Sequence, residues 1–199
     1  MRQKGTREIP NVEYPTLEQM EEEIAHLKYK KSYSSALRST VNALIVVAAI
    51  AILVATLWMP VLQITGTSMD PTLVDGQFVV ALKNEEFEPG DITAFYYNNK
   101  ILIKRVIASA GEWVDIDRDG NVYVNGVLLE EPYLQEKSLG ECNIELPYQV
   151  PDGRVFVMGD DRAVSLDSRT TAVGPISKEQ VLGRVVFRVW PFKDFGAVH

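Results

Sequence analysis

Between Arg38 and Asp70 the chain carries no charged residue, and no other feature limits its fold as strongly. The densest part, residues 41–62, is interrupted only by Asn42, Thr56 and Pro60. About 20 consecutive apolar residues cross a bilayer as a helix, because lipid offers no partner to an unbonded backbone group. A buried core helix of this length would carry a polar face. A cleaved signal sequence would have a shorter apolar stretch and would not begin some forty residues into the chain. Residues 41–62 are therefore expected to form one transmembrane helix.

The flanking charges give its direction. Lys28, Lys30, Lys31 and Arg38 precede the run, whereas Asp70 and Asp75 follow it. The positive-inside rule puts the N-terminus in the cytoplasm and residues 63–199 on the extracytoplasmic face, with Trp58 as an interfacial anchor. Residues 1–40 then form a cytoplasmic segment. Its first fifteen residues, polar and carrying Pro10 and Pro15, read as a flexible tail. Thr16, followed three residues later by Gln19, fits a capping box. Leu17, Met20, Ile24 and Leu27 recur at helical spacing behind it, with four glutamates near the start and lysines towards the end. A solvated amphipathic helix accounts for this pattern.

Beyond the apolar run the pattern turns strand-like. Residues 78–82, 91–97, 100–108, 154–158 and 183–190 are rich in β-formers. Asn98-Asn99 reads as a two-residue hairpin turn, and Asp119-Gly120 and Asn125-Gly126 are further turn signals flanking Val122-Tyr123-Val124. The outer domain is expected to be all-β, a barrel or folded sheet, making the whole chain mainly β. Residues 133–150 show little periodicity and read as a surface loop holding Cys142.

The composition removes whole classes of chemistry. A formal charge of −7 gives no electrostatic support for binding nucleic acid. One cysteine rules out an intramolecular disulfide and a multi-cysteine metal site. The two histidines, His26 and His199, lie in the N-terminal segment and at the last residue. The outer domain thus has neither a histidine-rich metal site nor a Ser-His-Asp triad, and any nucleophile in it needs another base.

Three stretches bear on that. Ser68 sits in GTSMDPTL (residues 66–73), where a serine ordinarily shapes a turn. Lys104 stands among aliphatic residues in ILIKRVI, next to Arg105. Strand alternation sends the two cations to opposite faces, so one of them faces inward. An edge-strand lysine that discourages aggregation is the simpler reading of this stretch alone. A buried lysine, however, has its pKa lowered by desolvation and can accept a proton near neutral pH. Paired with Ser68 it makes the only serine–base combination the domain offers. The third stretch, residues 158–169, is dense in Gly, Asp, Ser and Arg; it reads as a loop closed by surface ion pairs or, if buried, as a support for the lysine.

In order, GTSMDPTL, PGDITAF, ILIKRVIASAGE and VFVMGDDRAVSLDSR resemble the motifs of the bacterial type I signal peptidases, membrane-anchored Ser-Lys endopeptidases. The likeness runs from residue 64 to 195 and includes the preceding anchor. The chain resembles the compact Gram-positive form, without the large inserted second β-domain of some members. The resemblance implies that Ser68 is the nucleophile, Lys104 the general base and Met69 part of the site's lining. It implies that the Ser165 hydroxyl positions the lysine amine, that Asp167 and Arg169 form a supporting ion pair, and that Asp160 and Arg105 belong to the same structural apparatus. The family's oxyanion hole uses the serine's own N–H, joined in some members by a hydroxyl two residues earlier. That position is Gly66 here, so the Ser68 amide lacks this companion. Two asparagines common in the family loop are Asp161 and Val164.

The likeness further implies cleavage of signal peptides from exported preproteins after small residues. The substrate would bind as an added β-strand beside the bilayer, near the secretion translocon. No metal or organic cofactor is implied. Two other readings compete. Self-cleaving Ser-Lys repressors share the dyad but are soluble and carry a DNA-binding module, which the apolar run and acidic charge oppose. A catalytically silent, membrane-tethered binding module of the same fold needs neither Ser68 nor Lys104 nor Ser165, and all three are present.

Overall fold

The computed structural model describes residues 16–83 and 87–198; the expected N-terminal tail lies outside them. Helix α1 (Leu17–Trp58) is continuous through both the polar segment and the apolar run. Its start is the expected capping box: Gln19 N–H donates to Thr16 Oγ1 and Thr16 N–H to Gln19 Oε1. The 42 residues amount to about 63 Å of helix, and an 18-residue window of mean hydropathy 2.5 is long and apolar enough to cross a membrane. The helix stops four residues before the expected end of the span. Pro60, which cannot donate into a helical turn, follows its last turn, and residues 61–63 are already a strand.

The rest of the described chain is β. A sheet of eight strands runs β1 (Val61–Gln63), β2 (Phe78–Leu82), β11 (Val181–Trp190), β3 (Ile92–Tyr97), β4 (Lys100–Ala108), β9 (Arg154–Met158) and β10 (Ile176–Ser177), with β12 (Gly196–Ala197) on β11. Its ends do not meet, so of the two forms the sequence allows, the chain takes the folded sheet rather than a closed barrel. A smaller sheet orders β7 (Val127–Leu128), β6 (Val122–Val124), β5 (Trp113–Ile116) and β8 (Tyr148–Gln149). Pairing within both sheets is antiparallel throughout.

Turn chemistry sets the register. Asn98 and Asn99 both adopt positive φ, 44° and 61°, the two-residue turn that matches the twist of a hairpin. This opposes Tyr97 to Lys100 and, further along, Thr93 to Lys104 and Ile92 to Arg105. Strand β4 spans two environments. Its end carries Ile107 and Ala108 into a core shared with Phe156 of β9 and with Val114 and Val122 of the smaller sheet. The core beside β2 and β3 is built from Ile64, Met69, Leu73, Val79, Ala81 and Ala94.

Residues 133–150 are irregular, as expected, but are not a detached surface loop. Leu139, Ile144, Leu146 and Tyr148 pack on the second core, and β8 pairs with β5. The apolar side chains are too widely spaced to show a period, yet four of them suffice to hold the segment down.

Candidate active site

Ser68 sits in the turn after β1. Asp70 N–H donates to Thr67 O and Leu73 N–H to Met69 O, which closes the turn twice. Ile64 before it and Met69 and Leu73 after it are buried in one core, so apolar burial on both sides of a polar turn fixes where Ser68 points. Gly66, two residues earlier, has φ +86° and donates its N–H to Asp75 Oδ1 at 2.8 Å.

Lys104 comes to this turn from β4. Its Nζ donates to Ser68 Oγ at 2.6 Å. The residue is 2% exposed, and burial lowers its pKa from 10.5 to about 8; the charges of Asp167, Asp160 and Asp161 pull upward and that of Arg169 downward. Among the described residues the amine makes no ion pair. Strand alternation predicts only one inward-facing cation, but Arg105 is equally buried. Both faces of β4 are covered at this point, and Arg105 is accommodated by a forked bond to Asp160 at 2.9 and 2.7 Å and a bond to Gly90 O. Thr72 Oγ1 donates to the same Asp160 carboxylate.

The loop after β9 closes the site from behind. Its ion pairs are buried, not superficial. Asp167 and Arg169 are fully enclosed, joined by two bonds of 2.9 Å, and Arg169 also donates to Leu139 O at 2.6 Å. Burial alone would raise the Asp167 carboxyl, but Arg169 and the Gly159 N–H outweigh it and hold the pKa below the usual value. Ser165 is buried in the same loop. Its hydroxyl adds to holding Asp167 ionised, but meets the geometry of a hydrogen bond with no described group, Lys104 included. Asp161, in place of the family's asparagine, donates its N–H to Ser68 O at 3.2 Å, a backbone bond that its side chain does not decide. Val164 is exposed.

One residue that carries no role at sequence level proves necessary to this packing. A Cβ on Gly159 would lie 2.2 Å from Ser165 Oγ and 2.4 Å from Ser68 O, inside van der Waals contact. Glycine in a loop signals a turn as readily as a close approach, so the motif alone does not distinguish them. Arg162, within the loop, pairs with Glu131, to which Tyr133 donates, and the latter two lie in a stretch with no sequence signal.

Ser68 opens onto a groove of about 330 Å³ lined by residues 63–66, Met69 and residues 100–103. Among the described residues β1 pairs only with β2, and β9 pairs with β4 only from Arg105 onward. Each wall of the groove therefore has a strand edge not taken up by the sheet, and an extended peptide can bond to such an edge.

The chain matches a protein-family model described as signal peptidase, peptidase S26, over residues 37–190. It is 40% identical over 146 residues to thylakoidal processing peptidase 1 of Arabidopsis thaliana, covering 65% of this chain and 41% of that protein. It is 39% identical over 153 residues to signal peptidase IB of Staphylococcus aureus, covering 66% of this chain and 78% of that one. A crystal structure of a signal peptidase I from Enterococcus faecalis is 32% identical, covers 50% of this chain and 96% of that one, and superposes with a TM-score of 0.41.

Proposed function

The chain belongs to the signal peptidase family, peptidase S26, and is a membrane-anchored serine endopeptidase that cleaves signal peptides; we propose that Ser68 is its nucleophile and Lys104 its general base. The observation that carries this assignment is the 2.6 Å contact between Lys104 Nζ and Ser68 Oγ at the head of the groove.

Lys104 in its neutral form takes the Ser68 proton as Oγ attacks the scissile carbonyl. The protonated amine then gives that proton to the leaving amine, and an acyl-enzyme remains. Lys104, neutral again, removes a proton from water as it attacks the ester carbonyl, and then returns that proton to Ser68 Oγ as the ester bond breaks. The Ser68 N–H is the oxyanion donor, and Gly66 supplies no side-chain companion. Ser165, Asp167 and Arg169 form the wall behind the amine, and Asp160 with Arg105 holds the adjacent strand.

The substrate lies extended in the groove, bonded to the free edges beside residues 63–66 and 100–103. Side chains alternate along an extended peptide, so the first and third residues before the cut face the same wall; that both are small is what the resemblance to the family implies. The N-terminus is cytoplasmic and the β domain extracytoplasmic, following the charges around the span. The bilayer holds enzyme and membrane-borne preprotein together near the secretion translocon, which raises their effective concentration.

The test is cleavage of a purified preprotein in detergent by the full chain, Ser68→Ala and Lys104→Ala. Processing by the wild type and its loss in both variants is expected. A variant that processes as fast as the wild type overturns the assignment of that residue.

A further inference from the structure

Strand β7 leads into a segment, residues 129–133, that reaches from the smaller sheet across to the loop behind the dyad. Glu131 is buried there against Arg162, with both side chains fully enclosed. The bond is forked, each terminal guanidinium nitrogen meeting one carboxylate oxygen. Arg162 Nε also donates to Gly159 O at 3.0 Å. Tyr133 donates its hydroxyl to Glu131 Oε1 at 2.9 Å, and its ring lies 3.9 Å from the Arg105 guanidinium. A continuous chain of contacts thus runs Arg105, Tyr133, Glu131, Arg162, Gly159.

Its two ends are the informative part. Arg105 is the residue after Lys104 on β4. Gly159 is the residue on which a Cβ would collide with Ser68 O and Ser165 Oγ. The chain therefore grips the strand beside the base at one end and the buttress of the nucleophile at the other. A forked arginine–carboxylate bond fixes orientation as well as distance, and a phenol that both stacks and donates cannot satisfy the two contacts in a second rotamer.

We propose that Glu131 and Tyr133 are positioning residues for the Ser68–Lys104 dyad, acting through Arg162 and Arg105 to hold the two halves of the site in register. The proposal rests on the assignment of Ser68 and Lys104 given above. A loosened bracket lets water reach Lys104, whose surroundings are Ser68, Asp167, Arg169, Asp160 and Asp161. Hydration favours the charged amine, so the base becomes harder to deprotonate.

The experiment uses the detergent-solubilised full chain and a fluorogenic peptide with alanines at the first and third positions before the cut. Glu131→Gln keeps the shape and removes the charge; Tyr133→Phe keeps the ring over Arg105 and removes the hydroxyl. For Glu131→Gln, kcat falls by about tenfold or more with KM within about twofold, and the midpoint of the acidic limb of kcat moves upward. For Tyr133→Phe the same changes appear at about two- to fivefold in kcat. A purely structural role predicts instead a lower Tm with kcat and midpoint unchanged well below that Tm, and that result overturns the proposal. Should Glu131→Gln fail to fold, wild-type kcat and midpoint in Tyr133→Phe overturn it alone. Ser68→Ala and Lys104→Ala run alongside separate the two ideas. Activity in those variants sinks the dyad, whereas their silence beside unaffected bracket variants sinks only the bracket.

Discussion

Lys104 and Arg105 are neighbours on β4 and each is 2% exposed, yet among the described residues only Arg105 has a carboxylate within ion-pair distance. A buried arginine stays charged and needs its partner, whereas a buried lysine left without one moves towards neutrality. The difference between the two side chains is thus matched by the difference in their surroundings. With its pKa lowered to about 8, roughly a tenth of Lys104 is neutral at pH 7 and half at pH 8. The value of kcat/KM for a peptide should therefore climb with pH through a midpoint near 8. Lys104→Arg should show no such limb and residual activity only. A wild-type profile flat between pH 6 and 9 would remove Lys104 as the base.

The sequence carried some of this and not the rest, for reasons that can be named. Asn98-Asn99 is legible because two adjacent positive φ angles suit few residues, and that turn alone sets Thr93 opposite Lys104. The pairing of Ser68 with Lys104 is legible because the outer domain has no histidine before its last residue and because the motifs resemble a family's, and the structure brings the two side chains together. The capping box at Thr16 follows from local chemistry. By contrast, β1, β5, β8, β10 and β12 have two to four residues each, too few for a period to show. Arg105 with Asp160, and Arg162 with Glu131, pair across 55 and 31 residues of chain. Long-range pairing of this kind depends on the fold and has no local signature.

The depressed pKa of Lys104 also makes a statement about stability. The native state releases this proton near pH 8 and the unfolded chain near 10.5, so between those values the unfolded state binds more protons. Stability contributed by this group therefore rises with pH across that window. The rise should be on the order of 3 kcal/mol. Lys104→Met removes the titration, so the difference in unfolding free energy between variant and wild type should shrink as pH goes from 8 to 10.5. Denaturant melts at several pH values would show it; a constant difference would mean that Lys104 titrates alike in both states.

Asp167 and Arg169 behave as a unit in a dry setting. Asp167→Asn leaves the Arg169 charge buried without its counterion, which typically costs about 3–5 kcal/mol. The same change removes the carboxylate that draws the Lys104 pKa upward. Any Asp167→Asn enzyme that folds should therefore have its acidic limb shifted to lower pH, opposite to the shift expected for a loosened site. Thermal melts and a pH–rate profile of the one variant check both halves.

Gly159→Ala tests the packing behind the nucleophile. The added methyl collides with Ser68 O and Ser165 Oγ, so either the turn or the loop must retreat. Overpacking of this kind costs about 1–3 kcal/mol of stability. The retreat separates Ser68 from Lys104, and a displacement of about 1 Å can cost roughly a hundredfold in rate. A melt and a peptide-cleavage assay on the purified variant should show both losses together, with KM little changed because Gly159 does not line the groove. Wild-type kcat in a folded Gly159→Ala enzyme would mean that the contact of Gly159 with Ser68 is incidental to the reaction.

The unpaired edges of the groove give a prediction about the substrate rather than the enzyme. If the peptide adds as a strand beside residues 63–66 and 100–103, alternate backbone N–H groups point at the edges and the others do not. N-methylation, one amide at a time along a peptide substrate, should therefore weaken cleavage in alternation. Each lost bond is worth about 0.5–1.5 kcal/mol, or roughly two- to tenfold in kcat/KM. The losses should fall in kcat/KM at positions before the cut and leave the pH midpoint where it was, since Lys104 is untouched. Equal losses at every amide, or none, would mean that the groove holds its substrate by side chains alone.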